Sequence, residues 1–385
     1  MKSQKSSFQL PPGIHYLNAA YMTPLPKSVY EAGLNGLQWK LDPSKITSQD
    51  FFTLPAQVRK RFSELVKCDR EQVAIVPSVS YGLKSAINNL PTDAGTHAVV
   101  VEHEFPSDYY TIQQWCRTSG QELRIVQAPA AEVGRGRIWN EQIIEAITDE
   151  TTVVVTTPLH WADGTLFDLK KIGERCKQTQ TRFIVDGTQS AGMLDIDVVD
   201  CNIHAFVCAA YKWLLGPYSV AVAYYHQVYN DGVPIEDSWM NRANAEDFSN
   251  LTLFTDEYRP GAARYNMGET TSPIHLSMLN QSLQMIASWG VDNLQQYCKN
   301  LVQPLISYLQ KNDLWVEEDS NRAGHLFGFA IPVHADKQHV IQELQKRKVF
   351  VSLRGESIRV SPHIYNDSND IDALIYALGK SGIGQ

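Results

Sequence analysis

Phe183-Ile-Val-Asp-Gly-Thr-Gln-Ser-Ala-Gly192 and, a little further on, Ala205-Phe-Val-Cys-Ala-Ala-Tyr-Lys-Trp-Leu-Leu-Gly-Pro217 decide how this chain is read. Each stretch begins as an apolar, β-prone run and gives way to small or turn-forming residues. Asp186 and Lys212, 26 residues apart, therefore emerge where strands end. In open α/β sheets, ligands bind in the crevice outside the carboxyl ends of the strands. An acid and an amine delivered to one such crevice set the question for the rest of the sequence.

Outward from that pair, short apolar runs recur at Val73–Val76, Ala98–Val101, Leu123–Val126, Val153–Thr156, Phe183–Asp186, Ala205–Cys208 and Val220–Tyr225. Helical patterns separate several of them, at Ser78–Asn89, Ser107–Thr118 and Leu169–Gln178. Such alternation predicts an α/β fold with a mostly parallel, seven-stranded sheet. Past Pro273, two long helical patterns broken near Gly290 reach Lys311. A smaller α/β portion follows, with strands expected at His325–Ile331, Val349–Leu353 and Ser357–Val360, and helices at Lys337–Arg347 and Ile371–Leu378. Residues 16–272 are expected to form the large domain, and 1–15 with 273–385 the smaller one. Residues 228–272 are irregular and polar, a functional excursion rather than a linker.

Composition narrows the class. The chain has 385 residues, enough for a large core, with 43% hydrophobic and 20% charged residues as in a soluble globular enzyme. A formal charge of −8 disfavours nucleic acid and anionic membrane as partners, so small molecules are expected. Six cysteines form no CxxC pair, which suits a reducing cytoplasm. The eleven histidines form no HxxxH or HExxH pair, so no metal site is expected. Met1–Pro12 lacks the apolar core of a secretory signal. Lys212 and Gly216-Pro217 interrupt the most apolar stretch, against a membrane span.

The residue types then point to pyridoxal 5'-phosphate chemistry, which needs a lysine for the Schiff base and an acid against the pyridinium nitrogen. Lys212 lies among Val207, Trp213 and Leu214, whose apolar surroundings would lower its pKa and free the amine to attack. Asp186 would keep the pyridine nitrogen protonated, or else cap a helix. Gln189 could meet the cofactor's phenolic oxygen or remain a solvated turn residue. Pro77-Ser-Val-Ser-Tyr-Gly82 follows a strand and opens a helix, so N–H groups around Ser78, Val79, Ser80 and Tyr81 could hold a phosphate, with Ser80 adding a hydroxyl. Phe105 either stacks on the pyridine or packs in the core. Arg359 alternates with Ile358 and Val360 and offers a bidentate grip on an α-carboxylate; Arg354 competes for that role.

These residues together resemble the class V aminotransferase family of fold-type I pyridoxal phosphate enzymes, the group with cysteine desulfurases, selenocysteine lyases and kynureninases. The resemblance runs through Tyr16-Leu-Asn-Ala-Ala20, Ser78–Gly82, Glu102–Ser107, His160-Trp-Ala-Asp-Gly-Thr165, Asp186–Gly192, Tyr211-Lys-Trp213, Tyr265-Asn-Met-Gly268 and Arg359–Asn366. It implies Lys212 as the Schiff-base lysine, Asp186 as pyridinium partner, Gln189 as phenolate contact, Phe105 as stacking ring and Arg359 as carboxylate anchor. It further implies phosphate contacts from Ser80 and Tyr211, a cofactor set that includes Trp161, and Asn18 and Ala19 on the substrate side. A homodimer is implied, with Thr270 and Thr271 reaching a neighbouring subunit's phosphate. The chain departs from the desulfurases in three places. Residues 299–385 hold no cysteine, Tyr211 stands where they carry histidine before the lysine, and Trp161 lies where they carry a polar residue. The expected activity is work at the α-carbon of a small amino acid, an aminotransferase first and a C–S or C–C lyase second. A non-catalytic protein that keeps the fold is the third reading.

Overall fold

The computed structural model describes residues 1–332 and 335–383. β1 (His15–Tyr16), α1 (Lys27–Gln38) and α2 (Asp50–Val66) precede the main sheet. Its strands are β2 (Val73–Val76), β3 (His97–Val101), β4 (Glu122–Val126), β5 (Thr151–Thr156), β6 (Arg182–Asp186), β7 (Ala205–Ala209) and β8 (Ala221–Tyr225). Interleaved with them run α3 (Val79–Ile87), α4 (Pro106–Ser119), α5 (Arg135–Ala146) and α6 (Leu169–Gln178). After α7 (Pro273–Trp289) and α8 (Val291–Lys311) come β9 (Phe327–Ala330), α9 (Lys337–Lys346), β10 (Val349–Phe350), β11 (Ser352–Arg354), β12 (Ser357–Val360) and α10 (Ser368–Lys380).

The large sheet has the order β2-β8-β7-β6-β5-β3-β4, and β8 alone runs against its neighbours. Helices cover both faces, which is why β2, β3, β5, β7 and β8 are buried along their whole length and read as unbroken apolar runs. One core layer joins Val99, Val154, Phe183 and Phe206 to α7 through Leu276, Leu279, Leu283 and Ile286. The layer on the opposite face joins Val76, Val100, Val155 and Val207 to α3 and α4. A separate C-terminal core gathers Phe327, Phe329, Ile358, Val360 and Leu374, together with Leu17.

Three local features differ from the sequence reading. Helix α5 lies between β4 and β5, where no helix was expected. Its first turn holds Arg135, a residue buried through its ion pair rather than by an apolar stripe. The single strand expected over Val349–Leu353 changes partner midway. Val349 and Phe350 pair in parallel with His15 and Tyr16, whereas Ser352–Arg354 pair antiparallel with Ser357–Arg359. β1 thus straddles the boundary expected at residue 16. Over 228–272 the described backbone is irregular as expected, with short 3-10 turns such as Trp239–Asn241 and Gly261–Tyr265 and an isolated bridge between Arg242 and Tyr258.

The strand order places a functional crevice. From β3 the chain crosses through α4 to β4 on one side, and from β5 through α6 to β6 on the other. The carboxyl ends of β3 and β5 therefore flank a topological switch point, and β6 and β7 extend it. Helix α3 reaches this edge by packing closely on β7. A Cβ at Gly82 would come 2.6 Å from Val207 Cγ1. Gly82→Ala gains about 1 kcal/mol of helix propensity but forces this contact apart, at a typical overpacking cost of about 1–3 kcal/mol. We expect net destabilisation, read as a lower urea midpoint with unchanged m-value; an unchanged or raised midpoint would show that α3 can retreat freely.

Candidate functional site

Lys212 and Asp186 line one cavity of about 330 Å³ at the carboxyl edge of the sheet. Asp186 is the last residue of β6 and is paired in register with Val207 on β7. Lys212 follows the end of β7 after a short turn, so adjacent strands deliver the two groups. The residue after Asp186 has to be glycine, because a Cβ at Gly187 would lie 2.0 Å from Phe206 Cζ. The Lys212 backbone is held by Thr23, whose hydroxyl donates to its carbonyl at 2.5 Å. Its Nζ lies 5.5 Å from the centroid of the Phe105 ring and 5.6 Å from that of Tyr211.

Only 6% of Lys212 is exposed. Burial penalises the ammonium and brings its pKa down to about 8; Asp186 opposes the shift, and Arg359 adds to it. Asp186 is itself raised above the usual carboxylate range, first by burial, although the Thr188 N–H donates to its Oδ1 at 2.8 Å. Sequence reasoning missed its neighbour Asp108 on the first turn of α4. Neither carboxyl oxygen of this fully buried residue has a donor among the described residues. Burial, then the charges of Asp186 and Glu104, push Asp108 well above the usual range. Burial raises both neighbouring carboxyls, Asp108 further than Asp186, and the two titrate as a coupled pair. Glu104, also buried, is raised by burial to about 7. In the sequence, Pro106-Ser-Asp108 carries no sign of this, since an acid in a first helical turn is the commonplace complement of a helix dipole.

At the other end of the cavity, Ser78 caps α3 by accepting from the Tyr81 N–H. The N–H groups of Val79 and Ser80 find no acceptor among the described residues, as expected of a first helical turn. Ser78, Val79, Ser80 and Tyr211 line the cavity; Tyr81 does not. Gln189 also lines it, its amide fixed by accepting from Trp213 Nε1 at 2.8 Å and donating to the Ala20 carbonyl at 3.1 Å. One amide N–H of Gln189 remains free of these contacts. Thr270 and Thr271 lie apart from this cavity, their hydroxyls donating to the Met267 and Phe51 carbonyls.

A second cavity, of about 280 Å³, shares Phe105, Trp161, Gln189, Tyr211 and Lys212 with the first. Both competing arginines, Arg354 and Arg359, line it. Arg359 donates to the Trp161 carbonyl at 2.8 Å and to Ser352 Oγ at 3.4 Å. Asn18 stands one step behind, accepting from that hydroxyl at 2.6 Å. The wall expected from Asn18 and Ala19 is formed by Ala20, Tyr21 and Met22, since Ala19 is buried in the core. Trp161 meets Phe105 edge to face at 5.6 Å and donates from Nε1 to the His103 carbonyl at 2.7 Å. Its turn is anchored by Arg135, which pairs with Asp163 at 2.9 Å and faces Glu317 at 3.6 Å.

No cysteine lines either cavity. Cys298 is fully buried and its thiol is pushed up by burial. Among the described residues, no group of three His, Cys, Asp or Glu could hold a metal ion.

The Lys212 amine is uncharged above its pKa, so its reactivity toward an aldehyde should rise with pH and level off above about 8. In Asp186→Asn the nearby negative charge is gone, the ammonium is less favoured, and the midpoint should move to lower pH. Stopped-flow capture of an aldehyde across pH 6–10, a range on the order of that set by ordinary amine titration, measures both. An upward shift in the variant would sink this electrostatic account.

Comparison with known proteins agrees with this architecture. The chain is 26% identical over 314 residues to "Uncharacterized aminotransferase YcbU" of Bacillus subtilis (strain 168), covering 81% of this chain and 80% of that protein. It is 24% identical over 322 residues to a kynureninase of Burkholderia mallei (strain SAVP1), covering 80% of this chain and 73% of the relative. The fold matches two structures of C-DES at 20% identity. A mutant with glycine covalently linked to its PLP cofactor has a TM-score of 0.85 and covers 98% of this chain and 100% of that one. The cystine C–S lyase with its product cysteine persulfide has a TM-score of 0.83 and covers 97% and 99%. The model of the family "Aminotransferase class-V" matches residues 15–374, nearly the whole chain. This chain belongs to the class-V aminotransferase family.

Proposed function

We propose that the chain is a pyridoxal 5'-phosphate enzyme acting at the α-carbon of a small amino acid, an aminotransferase by family and by the name of its Bacillus relative. The observation that carries the reading is a buried amine with a lowered pKa in the same cavity as a buried carboxylate and a free helix N-terminus. When bound, pyridoxal phosphate supplies an aldehyde carbon for the amine and a ring that accepts electron density from the substrate's α-carbon. The residues present fit it. The N–H groups of Val79 and Ser80, with the hydroxyls of Ser80 and Tyr211, would hold the phosphate, and Phe105 would face the ring. Asp186 would hold a proton at the pyridine nitrogen, with the buried carboxyl of Asp108 beside it. Gln189 would donate its free amide N–H to the phenolic oxygen.

Lys212 has two tasks in this reading. It retains the cofactor between turnovers, and once the substrate amine replaces it, its neutral amine takes and returns the proton at the α-carbon. Arg359 would orient the substrate by its α-carboxylate, with Ser352 and Asn18 positioning the guanidinium. Trp161, Phe105 and Tyr211 would exclude water from the reacting carbon.

Lyase chemistry is the second reading, favoured by the kynureninase relatives and by the C–S lyase named among the solved structures. Persulfide transfer through a protein cysteine is disfavoured, because neither cavity holds a thiol. A homodimer also belongs to the proposal. Tyr30, Leu34, Leu37 and Leu41 are exposed along one stripe of α1 and its extension, and Tyr21 and Met22 are exposed beside the substrate cavity. Thr270 and Thr271 would then face the partner's phosphate. Among the described residues no helix is long and apolar enough to cross a membrane; a cytoplasmic location is part of this reading.

Borohydride reduction of the cofactor-loaded protein should place the label on Lys212. Lys212→Ala should take no label and lose on the order of 10²–10⁴-fold in turnover; label on any other lysine would refute the assignment. A panel of amino acids followed by visible absorption then separates the reactions. Bleaching by a donor and recovery with a keto acid means transamination. Persistent absorption with accumulating pyruvate, alanine or sulfide means lysis.

A further inference from the structure

Arg354 and Arg359 both line the substrate-side cavity, and no carboxylate lines it with them. Neither arginine forms an ion pair among the described residues. Arg359 is 1% exposed, and its Nε finds no acceptor among the described residues. Among the described residues the Nε of Arg354 is likewise buried without an acceptor, and this side chain donates from Nη1 to the neighbouring Leu353 carbonyl. Its guanidinium also lies 5.5 Å from the centroid of the Trp161 ring.

The hairpin fixes how the two cations are spaced. Ser352 is opposite Arg359 and Arg354 is opposite Ser357, so the arginines occupy diagonal positions on one face of β11–β12. Diagonal neighbours stand about 7–8 Å apart, close enough for the two cations to repel. Burial, and then the repulsion from Arg354, lowers the Arg359 guanidinium to about 9, so it stays charged at neutral pH. Two buried-edge cations without a protein anion are costly unless an anion arrives with the ligand. The cofactor phosphate is not that anion. The free N–H groups that fit it lie at the start of α3, and the residues there line the first cavity but not the second.

We infer that the amino acid accepted here carries two acidic groups, its α-carboxylate on Arg359 and a side-chain acid on Arg354. This rests on the function proposed above and names its substrate class. The surrounding Tyr21, Trp161 and Tyr218 supply a wall for a short connecting chain. A single-acid substrate gripped by both arginines is the competing outcome.

The test uses the cofactor-loaded protein and unreactive acids, so that binding is read without turnover. Succinate and glutarate are titrated against propionate, followed by intrinsic tryptophan fluorescence and by the cofactor's visible absorption. The tighter diacid should bind on the order of 10- to 100-fold more tightly than propionate. Arg354→Met should abolish most of that preference and Arg354→Lys should restore part of it, with the cofactor spectrum of each variant reporting an intact fold. Equal binding of diacid and monoacid, or an equal loss of both in Arg354→Met, overturns the inference. A wild-type chain that takes up no cofactor overturns the function proposed above instead.

Discussion

Lys212 is taken out of water beside Asp186, and the architecture is organised to make that tolerable. A buried ammonium or carboxylate alone would cost several kcal/mol, and each here softens the penalty of the other. The compromise is a lysine brought to about 8, near enough to neutrality to act as a nucleophile and a base. It holds only while Asp186 stays charged. Burial and the Asp186 charge raise the second carboxyl, Asp108, well above the usual range, which disfavours two negative charges beside the amine.

That balance explains why the elements around the site are tightly specified. β6 and β7 must be adjacent and in register for Asp186 and Lys212 to meet, and Gly187 must lack a side chain for the chain to turn away past Phe206. The loops after β3 and β5 close over the crevice because the crossovers diverge there. Phe105 comes from the end of the first of these loops and Asp108 from the helical turn that follows it, Trp161 from the second. The far anchor of the Trp161 turn is Glu317, so the C-terminal part of the chain helps fix a residue of the large sheet's edge.

The sheet was legible in the sequence because strands buried on both faces leave uninterrupted apolar runs, as at Val73–Val76 and Ala205–Ala209. Asp186 and Lys212 were legible because each sits where such a run stops. Helix α5 was not, since the apolar stripe it buries, Trp139 and Ile143, is short and shares its face with Arg135 and Asn140, which are held by polar bonds. Asp108 was not, because an acid near a helix start has an ordinary reading and only tertiary packing removes its solvent. The split of Val349–Leu353 into β10 and β11 was hidden as well. A strand that changes partner keeps its local pattern, and one of the two partners lies far away in the chain at His15, while the other follows at once in the hairpin to Ser357.

The pairing of β1 with β10 has a temporal side. Ala20, Tyr21 and Met22, which wall the substrate cavity, follow directly on a strand whose hydrogen-bonding partner is more than three hundred residues later. During synthesis, the strands that carry Asp186 and Lys212 emerge and can pair with each other well before that partner exists, whereas the substrate wall must wait for the last part of the chain. Long-range closure of this kind is slow relative to local pairing. The half of the crevice that holds Asp186 and Lys212 is therefore the older part of each molecule, and the half walled by Ala20, Tyr21 and Met22 is assembled last.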